Sequence, residues 1–297
     1  MNRTASVAAQ AKVNLALRVL AREANGFHQI ETLFCRIDIA DAVTVRLDTS
    51  GRSLRCHGPA IPDEGLGPTE QNLAWRAAMA FTEAASWATG FAIEVEKHIP
   101  VGGGLGGGSA DAGAVLRCLN ALAPRPLANE RLLQIAGTLG ADVPFLTQER
   151  SALALGWGRG DRLLALTAPP RRACLVVAAP FSVRTADAYT WLTERQPFPA
   201  GSTILAADAL GRWPALDALS GNDFEPIVFA RLPELRAAFT ALDAHRGPGG
   251  VAVVRMSGSG STLFALYDGR EPAIPLPQGF SGRPTWTSTE VSSVVVT

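Results

Sequence analysis

Apolar and polar side chains alternate along the beginning of the chain. Apolar residues at odd positions from Val13 to Val19 would point to one side of an extended backbone, and Lys12, Asn14 and Arg18 would point to the other. A period of two is typical of a strand with one buried face, so we predict such a strand over residues 5–20. Similar strand patterns recur at residues 29–38, 42–48, 91–95, 174–179, 251–255 and 262–266.

The period changes to a helical one after Asn72, which is a suitable N-cap for a helix that runs to about residue 86. A second helix follows a glycine-rich segment, with Ser109 as its predicted cap, and a third covers about residues 129–139 and ends at Gly140. Helical patterns also occur near residues 185–195 and 231–242. This mixture predicts an α+β fold.

The Pro169-Pro170 pair indicates a boundary between two domains. We predict an N-terminal domain over residues 1–165 and a C-terminal domain over residues 166–297. The tail beyond about residue 270 is rich in Pro, Gly, Ser and Thr, and its pattern assigns it to no element.

Composition excludes several classes of protein. The chain has 297 residues, 47% of them hydrophobic and 18% charged, and its 27 basic residues balance 27 acidic ones. It is too apolar for intrinsic disorder, and a net charge of zero gives no overall attraction for nucleic acid or an anionic membrane. No apolar stretch approaches the ~18 residues of a membrane span, and the N-terminus lacks the apolar core of a signal peptide. We therefore expect a cytoplasmic protein with a local site for a small molecule.

The cysteines and lysines add two smaller expectations. The four cysteines have no metal-binding spacing, so we expect buried, reduced thiols. Only Lys12 and Lys97 among the 27 basic residues are lysines, which suggests positions that need a compact ammonium rather than a planar guanidinium. For Lys97, late in a strand-like segment, coincidence is the favoured explanation.

Six glycines occupy the seven positions from Gly102 to Gly108, between a predicted strand and a predicted helix. Backbone N–H groups can converge in such a segment, and with the positive end of the helix dipole they form an anion site, most often for phosphate. A P-loop requires a lysine after the last glycine, where this chain has Ser109. A Rossmann loop requires an acidic residue about 20 positions further on, where this chain has residues 127–129 in a loop. The segment therefore predicts a phosphate site that is neither a P-loop nor a Rossmann loop.

The segment Pro100–Ala110 resembles the phosphate-binding signature of the GHMP kinases. Five further blocks follow the order found in that family, and the resemblance spans about residues 8–265: Ala11–Leu15, Gly26–His28, Gly140–Pro144, Asn222–Glu225 and Ser257–Gly260. The resemblance implies a two-domain GHMP kinase fold, with an N-terminal ATP-binding domain like ribosomal protein S5 domain 2 and a ferredoxin-like C-terminal domain. It also implies ATP as the phosphoryl donor, with Mg²⁺ expected from the chemistry of ATP. The combination of blocks implies a cytidine diphosphate-linked methylerythritol as the acceptor, in non-mevalonate isoprenoid precursor synthesis.

The same resemblance assigns roles to individual residues. Lys12 and Asp142 are the expected catalytic residues, with Asp142 as general base or as an acceptor that orients the hydroxyl group, and Lys12 as the ammonium beside it. The whole glycine segment is expected to bind ATP: Pro100, Val101, Gly102, Gly103, Gly104, Leu105, Gly106, Gly107, Gly108, Ser109 and Ala110.

The acceptor is expected to contact Asn14, Phe27, His28 and Tyr189. Phe27, where the family usually has Tyr, would stack on the cytosine, His28 would hydrogen-bond its edge, and Tyr189 would close the other side of the base. Asp111 either binds magnesium through water or favours the helix N-terminus by its charge, and we assign no metal ligand.

Two other functions remain open at this point. The chain could be another GHMP kinase, acting on homoserine, a mevalonate derivative or a sugar. A non-enzymatic RNA-binding module is the less favoured alternative, because it requires a basic surface with exposed aromatic residues. The sequence indicates no nucleic-acid or membrane partner and no particular oligomeric state.

Overall fold

The computed structural model describes residues 3–24, 26–48, 51–193, 210–269 and 271–297. The strands are β1 (Thr4–Arg22), β2 (His28–Asp48), β3 (Arg52–His57), β4 (Gly90–Glu96), β5 (Leu153–Gly158), β6 (Arg162–Leu166), β7 (Ala173–Ala178), β8 (Gly221–Asn222), β9 (Val251–Met256), β10 (Leu263–Tyr267), β11 (Ser281–Trp286) and β12 (Val295–Val296). The α-helices are α1 (Leu73–Ala84), α2 (Gly107–Leu122), α3 (Asn129–Leu139), α4 (Val143–Thr147), α5 (Thr185–Thr193), α6 (Trp213–Leu219), α7 (Glu225–Arg231) and α8 (Pro233–Asp243).

The first sheet is built on the long antiparallel pair β1 and β2. Its strand order is β12-β1-β2-β4-β3, with β5 and β6 continuing from β2, and β8 pairing with β1. Helix α2 packs against β1 and β2, and α1, α3 and α4 pack around α2. The apolar faces of these elements form one buried core, and α2 is therefore held rigidly over the strand that carries Lys12.

The second sheet is antiparallel, with the order β11-β7-β10-β9. Helix α8 packs on β9, α7 packs on α8, and α5 packs on α7, which buries a second apolar cluster. Two largely antiparallel sheets, each with helices packed beside it, make an α+β fold, as predicted. The boundary between residues 165 and 166 stays a prediction.

The tail that the sequence pattern could not place contributes a strand to each sheet. Strand β11 pairs antiparallel with β7, and β12 pairs antiparallel with β1. Its strands are short and mostly exposed, so they carry little of the alternation from which a strand is predicted.

Two local predictions were wrong. The polar face of β1 is buried as well as its apolar face, because residues of the second half of the chain lie across it; Lys12 is 2% exposed and Asn14 3%. Ser109 does not cap α2: the helix begins at Gly107, and Gly106 takes the N-cap position in the left-handed conformation, with φ 73°. The predicted segments 29–38 and 42–48 form one continuous strand, β2.

Several other expectations are answered by the same structure. Helix α5 ends at Thr193, and residues 194 and 195 of that predicted helix lie outside the described residues. All four cysteines are free; Cys56 is half-buried and the other three are buried. Within the described ranges, no helix combines the length and the apolar character that crossing a membrane requires.

Candidate active site

Lys12 and Asp142, which lie 130 positions apart in the chain, form an ion pair with 3.2 Å between Nζ and Oδ2. Lys12 Nζ also donates a hydrogen bond of 2.6 Å to Asn14 Oδ1, and Asn14 Nδ2 donates to Thr32 Oγ1 at 2.8 Å. Lys12 and Asn14 share one face of β1 because they are two positions apart. The structure therefore joins the two predicted catalytic residues and the predicted substrate contact Asn14 in one polar network.

Asp142 is not used as a helix cap. It occupies the N-cap position of α4, but its side chain accepts no capping hydrogen bond from the helix. Its side chain is 31% exposed, whereas that of Lys12 is 3% exposed. The carboxylate can therefore contact a bound molecule while the ammonium is held behind it.

Strand β1 also anchors the glycine segment. Pairing with β2 is irregular between Gln10 and Lys12, and the Lys12 N–H instead donates to Leu105 O at 3.0 Å. Irregularities of this kind often occur beside active sites, where they redirect a side chain. The Leu105 side chain is buried, so the segment is fastened at its centre. This contact explains how a loop near residue 105 and a strand near residue 12 reach the same site.

Glycine is required at two positions of the segment for different reasons. A Cβ on Gly104 would lie 2.2 Å from Ser257 O, a distance that no packing adjustment of a side chain can relieve. Gly106 has a positive φ, and a Cβ there would lie 3.2 Å from both Cγ and Cε of Lys12. The segment therefore packs directly against the catalytic lysine.

The glycine segment and the start of α2 line a cleft of about 480 Å³, called the loop cleft here. Every residue from Pro100 to Ser109 lines it, Asp142 reaches it, and Thr185 of α5 is on its other wall. Ala110 is the one predicted ATP-binding residue that does not line the cleft; its N–H donates within the helix to Gly106 O. Leu66, Leu73 and Ile99 give the cleft an apolar part that the sequence did not reveal. A cleft with a helix N-terminus at one side and apolar side chains at the other can bind a nucleotide.

A second, larger cavity of about 830 Å³ contains the predicted acceptor aromatics, and we call it the ring cavity. His28 and Tyr189 stack with ring centroids 4.6 Å apart, while Phe27 is 54% exposed and stacks on the Arg159 guanidinium at 3.8 Å. Phe27, His28 and Tyr189 therefore line one cavity, but Phe27 stacks on Arg159 and Tyr189 stacks on His28. The base sandwich between them stays a prediction.

Electrostatics connect the ring cavity to the catalytic pair. Burial lowers the pKa of His28, and the charge of Arg22 lowers it further, so the imidazole is neutral at physiological pH. Burial, with a contribution from the charge of Asp142, raises the pKa of Tyr189 to about 12.

Lys12, Asn14 and Asp142 line a small central cavity of about 230 Å³ that shares lining residues with both the loop cleft and the ring cavity. A molecule in the ring cavity can thus reach the catalytic pair.

A second loop of small residues supports the glycine segment from the other half of the chain. Ser257 Oγ donates to Gly104 O at 2.8 Å. Asn222 Nδ2 holds this loop by donating to Met256 O at 2.7 Å and to Gly258 O at 2.8 Å. The sequence marked Asn222 only as part of a motif, and no residue pattern indicated what its amide would bind.

The explanation favoured for Lys97 was wrong. Lys97 is 3% exposed, and its ammonium pairs with Asp111 Oδ2 at 2.6 Å and with Asp41 Oδ2. The side chain turns inward because it lies where β4 ends between β2 and α2. The signal that could have identified it was the rarity of lysine in this chain.

Comparison with known proteins gives concordant results. The family model of the GHMP kinase N-terminal domain matches residues 72–149, and that of the GHMP kinase C-terminal domain matches residues 206–276. A 4-diphosphocytidyl-2-C-methyl-D-erythritol kinase of Anaeromyxobacter dehalogenans (strain 2CP-C) is 41% identical, over 93% of this chain and 84% of the relative. The enzyme of that name from Geobacter metallireducens is 37% identical, over 97% of this chain and 98% of the relative.

Solved structures agree with the sequence relatives. A crystal structure of 4-(cytidine 5'-diphospho)-2C-methyl-D-erythritol kinase matches with a TM-score of 0.67 and 32% identity, over 95% of this chain and 99% of that one. A homoserine kinase from Cytophaga hutchinsonii also reaches a TM-score of 0.67, over 100% and 98% of the two chains. At 16% identity the second match shows the shared fold alone.

Proposed function

Because this chain belongs to the 4-diphosphocytidyl-2-C-methyl-D-erythritol kinases of the GHMP kinase superfamily, we propose that it phosphorylates 4-diphosphocytidyl-2-C-methyl-D-erythritol at the 2-hydroxyl group. ATP is the donor and the 2-phosphate is the product, an intermediate of the non-mevalonate route to isoprenoid precursors. The observation that carries the proposal is the 3.2 Å pair of Lys12 and Asp142, set in a cavity that adjoins both larger clefts.

The loop cleft is the proposed donor site. Backbone N–H groups of the glycine segment and the dipole of α2 would hold the phosphates, and the apolar part around Leu66, Leu73 and Ile99 would receive the adenine ring. Lys12 Nζ lies 3.5 Å from the position that a Cβ on Gly258 would occupy, so positive charge is present where the two glycine-containing loops meet. This arrangement supports stabilisation of charge on the transferring phosphoryl oxygens.

The ring cavity is the proposed acceptor site. Phe27 offers an exposed ring face for the cytosine, and neutral His28 offers both a donor and an acceptor to its edge. Asn14 and Asp142 line the central cavity, where the hydroxyl group would be placed.

The reaction forms a bond between the acceptor oxygen and the γ-phosphorus and breaks the bond from that phosphorus to the β,γ-bridging oxygen, releasing ADP. Asp142 would accept the hydroxyl proton or orient the hydroxyl group by accepting its hydrogen bond. Lys12 would stabilise negative charge that develops on the attacking oxygen, and its ion pair keeps Asp142 in position. A positioned base of this kind contributes about 10²- to 10⁴-fold in rate.

The residues of the loop cleft fit a magnesium ion bound mainly by ATP. Among the residues that the structure describes, no group of three or more His, Cys, Asp or Glu side chains could hold a metal. Mg²⁺ in such sites commonly takes one or two protein oxygens and completes its shell with phosphate oxygens and water. The Ser109 hydroxyl, in the first turn of α2 and on the wall of the cleft, fits that role. Bound there, the ion would neutralise phosphate charge.

The test is a coupled ATP turnover assay with 4-diphosphocytidyl-2-C-methyl-D-erythritol, homoserine and mevalonate as acceptors. We expect turnover with the cytidylyl compound alone. Asp142→Asn should lower kcat by roughly 10² or more while leaving the affinity for ATP nearly intact. Preferred turnover of homoserine or mevalonate would refute the proposed substrate, and an unchanged kcat would remove Asp142 from the reaction. The cytoplasmic location expected from the sequence belongs to the same proposal.

A further inference from the structure

A buried cluster of three ionisable side chains lies at the base of the glycine segment, and two of its members also line the loop cleft, Lys97 and Asp111. It consists of Lys97, Asp41 and Asp111, which are 3%, 1% and 4% exposed. Lys97 Nζ donates to Asp111 Oδ2 at 2.6 Å and to Asp41 Oδ2. The reaction proposed above assigns nothing to these residues.

The cluster joins the two ends of the glycine segment. Asp41, on β2, accepts hydrogen bonds at Oδ1 from the backbone N–H groups of His98 and Ile99, the residues that lead into the segment. Asp111 lies on α2, just after the segment. Through Lys97, the entry and the exit are therefore tied to each other and to the central sheet. The ammonium also lies 3.5 Å from the position of a Cβ on Gly107, the first residue of α2.

A glycine-rich segment needs such a tie more than other loops do. Glycine loses more conformational freedom on folding than any other residue, so the segment has little intrinsic preference for one shape. Its N–H groups can bind phosphates only if their spacing is held by the surrounding structure. The contacts from Leu105 and Ser257 fasten the middle of the segment, and the cluster fastens its base.

The chemistry of the cluster explains why its cation is a lysine. Burial by itself would lower the pKa of Lys97, but the charges of Asp111 and Asp41 outweigh it and raise the pKa, so the ammonium stays protonated. Burial raises the pKa of Asp111 against the opposing effect of Lys97, which makes the ammonium the group that favours this carboxylate's ionised form. A compact ammonium can donate to both carboxylates in a closed space, whereas a planar guanidinium is larger and fixed in shape.

We propose that Lys97 is a positioning residue of the donor site, which sets the spacing of the phosphate-binding amides by holding Asp41 and Asp111 together at the base of the glycine segment. The inference rests on the proposed use of this segment for ATP. It predicts a specific loss of donor affinity when the tie between Lys97 and Asp111 is cut.

The decisive variant is Asp111→Ala, which cuts the tie to α2 and leaves Lys97 paired with Asp41. We expect the dissociation constant for ATP, measured by calorimetry, to rise about tenfold, since small displacements of positioned groups are costly. The KM for the acceptor should change less than about twofold, because the ring cavity is untouched. Asp111→Asn keeps an oxygen that can accept from Lys97 and should therefore retain most of the affinity.

Two controls separate positioning from other roles. Glu149→Ala removes the partner of Arg117, a buried arginine on the same helix, at 2.7 Å and away from the glycine segment. This variant should lose thermal stability without losing affinity for ATP. Each titration is repeated in EDTA: a loss that appears only with Mg²⁺ would make Asp111 a metal-binding residue and overturn the proposal.

Lys97→Met and the double variant Lys97→Met/Asp111→Ala complete the cycle. If both residues act through one contact, the double variant should bind ATP no worse than either single variant. Should Lys97→Met fail to fold, the two Asp111 variants and the control decide the matter. If Asp111→Ala lowers stability but leaves the affinity for ATP unchanged, the cluster only stabilises the fold and the proposal is overturned. Because ATP binding is measured without acceptor, an error in the proposed substrate would not affect this result.

Discussion

The contact between Gly106 and Lys12 predicts that one methyl group will disturb catalysis. An alanine at position 106 must adopt φ +73°, which costs about 1–2 kcal/mol for a residue with a Cβ. The new Cβ would also lie 3.2 Å from Cγ and Cε of Lys12 and 3.1 Å from Leu146 Cδ1. Carbon atoms pack best at about 3.5–4.0 Å, so the lysine must move by roughly 0.5 Å. Since a misplacement of about 1 Å can cost roughly 10²-fold in rate, half of that predicts a fall in kcat of about tenfold.

Gly249→Ala is the matched control for this prediction. Gly249 has φ +72°, and nothing lies within 4 Å of the position of its Cβ. Thermal unfolding should show a similar loss of stability for both variants, because both carry the same backbone strain. Coupled ATP turnover should show the loss of kcat in Gly106→Ala alone. A normal kcat in Gly106→Ala, or an equal loss in the control, would refute the argument that the glycine segment positions the lysine.

Three further predictions concern the site and its support. Lys12→Arg keeps the charge but places a wider group where the buried ammonium fits between Asn14 and Asp142. The kcat should therefore fall by about 10²-fold. Full activity would contradict the need for an ammonium at this position. Phe27→Leu removes an exposed stacking surface, so the KM for the acceptor should rise about fivefold or more. The KM for ATP and the melting temperature should stay the same. An unchanged acceptor KM would exclude stacking of the cytosine on Phe27. Burial raises the pKa of Glu225 from 4.5 to about 7, so the folded state holds this proton more tightly than the unfolded state, and stability falls as pH rises from 4.5 to 7. Glu225→Gln should lack this contribution, on the order of 2–3 kcal/mol, and parallel unfolding curves for variant and wild type between pH 5 and 8 would contradict it.

The central elements could be predicted because their patterns are local. Alternation around Lys12 predicted β1, and the helical period after Asn72 predicted α1, where the Ala74 N–H donates to Asn72 Oδ1 as expected for an N-cap. Six glycines between a strand and a helix predicted a phosphate site, and the segment lines a cleft at the start of α2. Each of these inferences depends on neighbours within about one or two turns of chain, where periodicity is informative.

The wrong predictions share a different origin. Lys97 was attributed to coincidence because its partners, Asp41 and Asp111, lie 56 and 14 positions away. The polar face of β1 was expected in solvent because the residues that cover it come from the other half of the chain. The pattern of the tail assigns it to no element because its strands gain their hydrogen bonds from β7 and β1.

Local patterns in the chain are enough to show which segments form strands or helices, where glycines let the backbone approach phosphates, and which side chains can exchange protons. Three features arise from the folded chain instead: Lys12 and Asp142 lie 3.2 Å apart, the glycine segment packs against that lysine, and Lys97 pairs with its two carboxylates in the protein interior. This difference arises because periodicity reports only the direction of a side chain relative to its own backbone. A contact between distant segments, and the burial that changes a charge's energy, exist only once the sheets and helices have packed together.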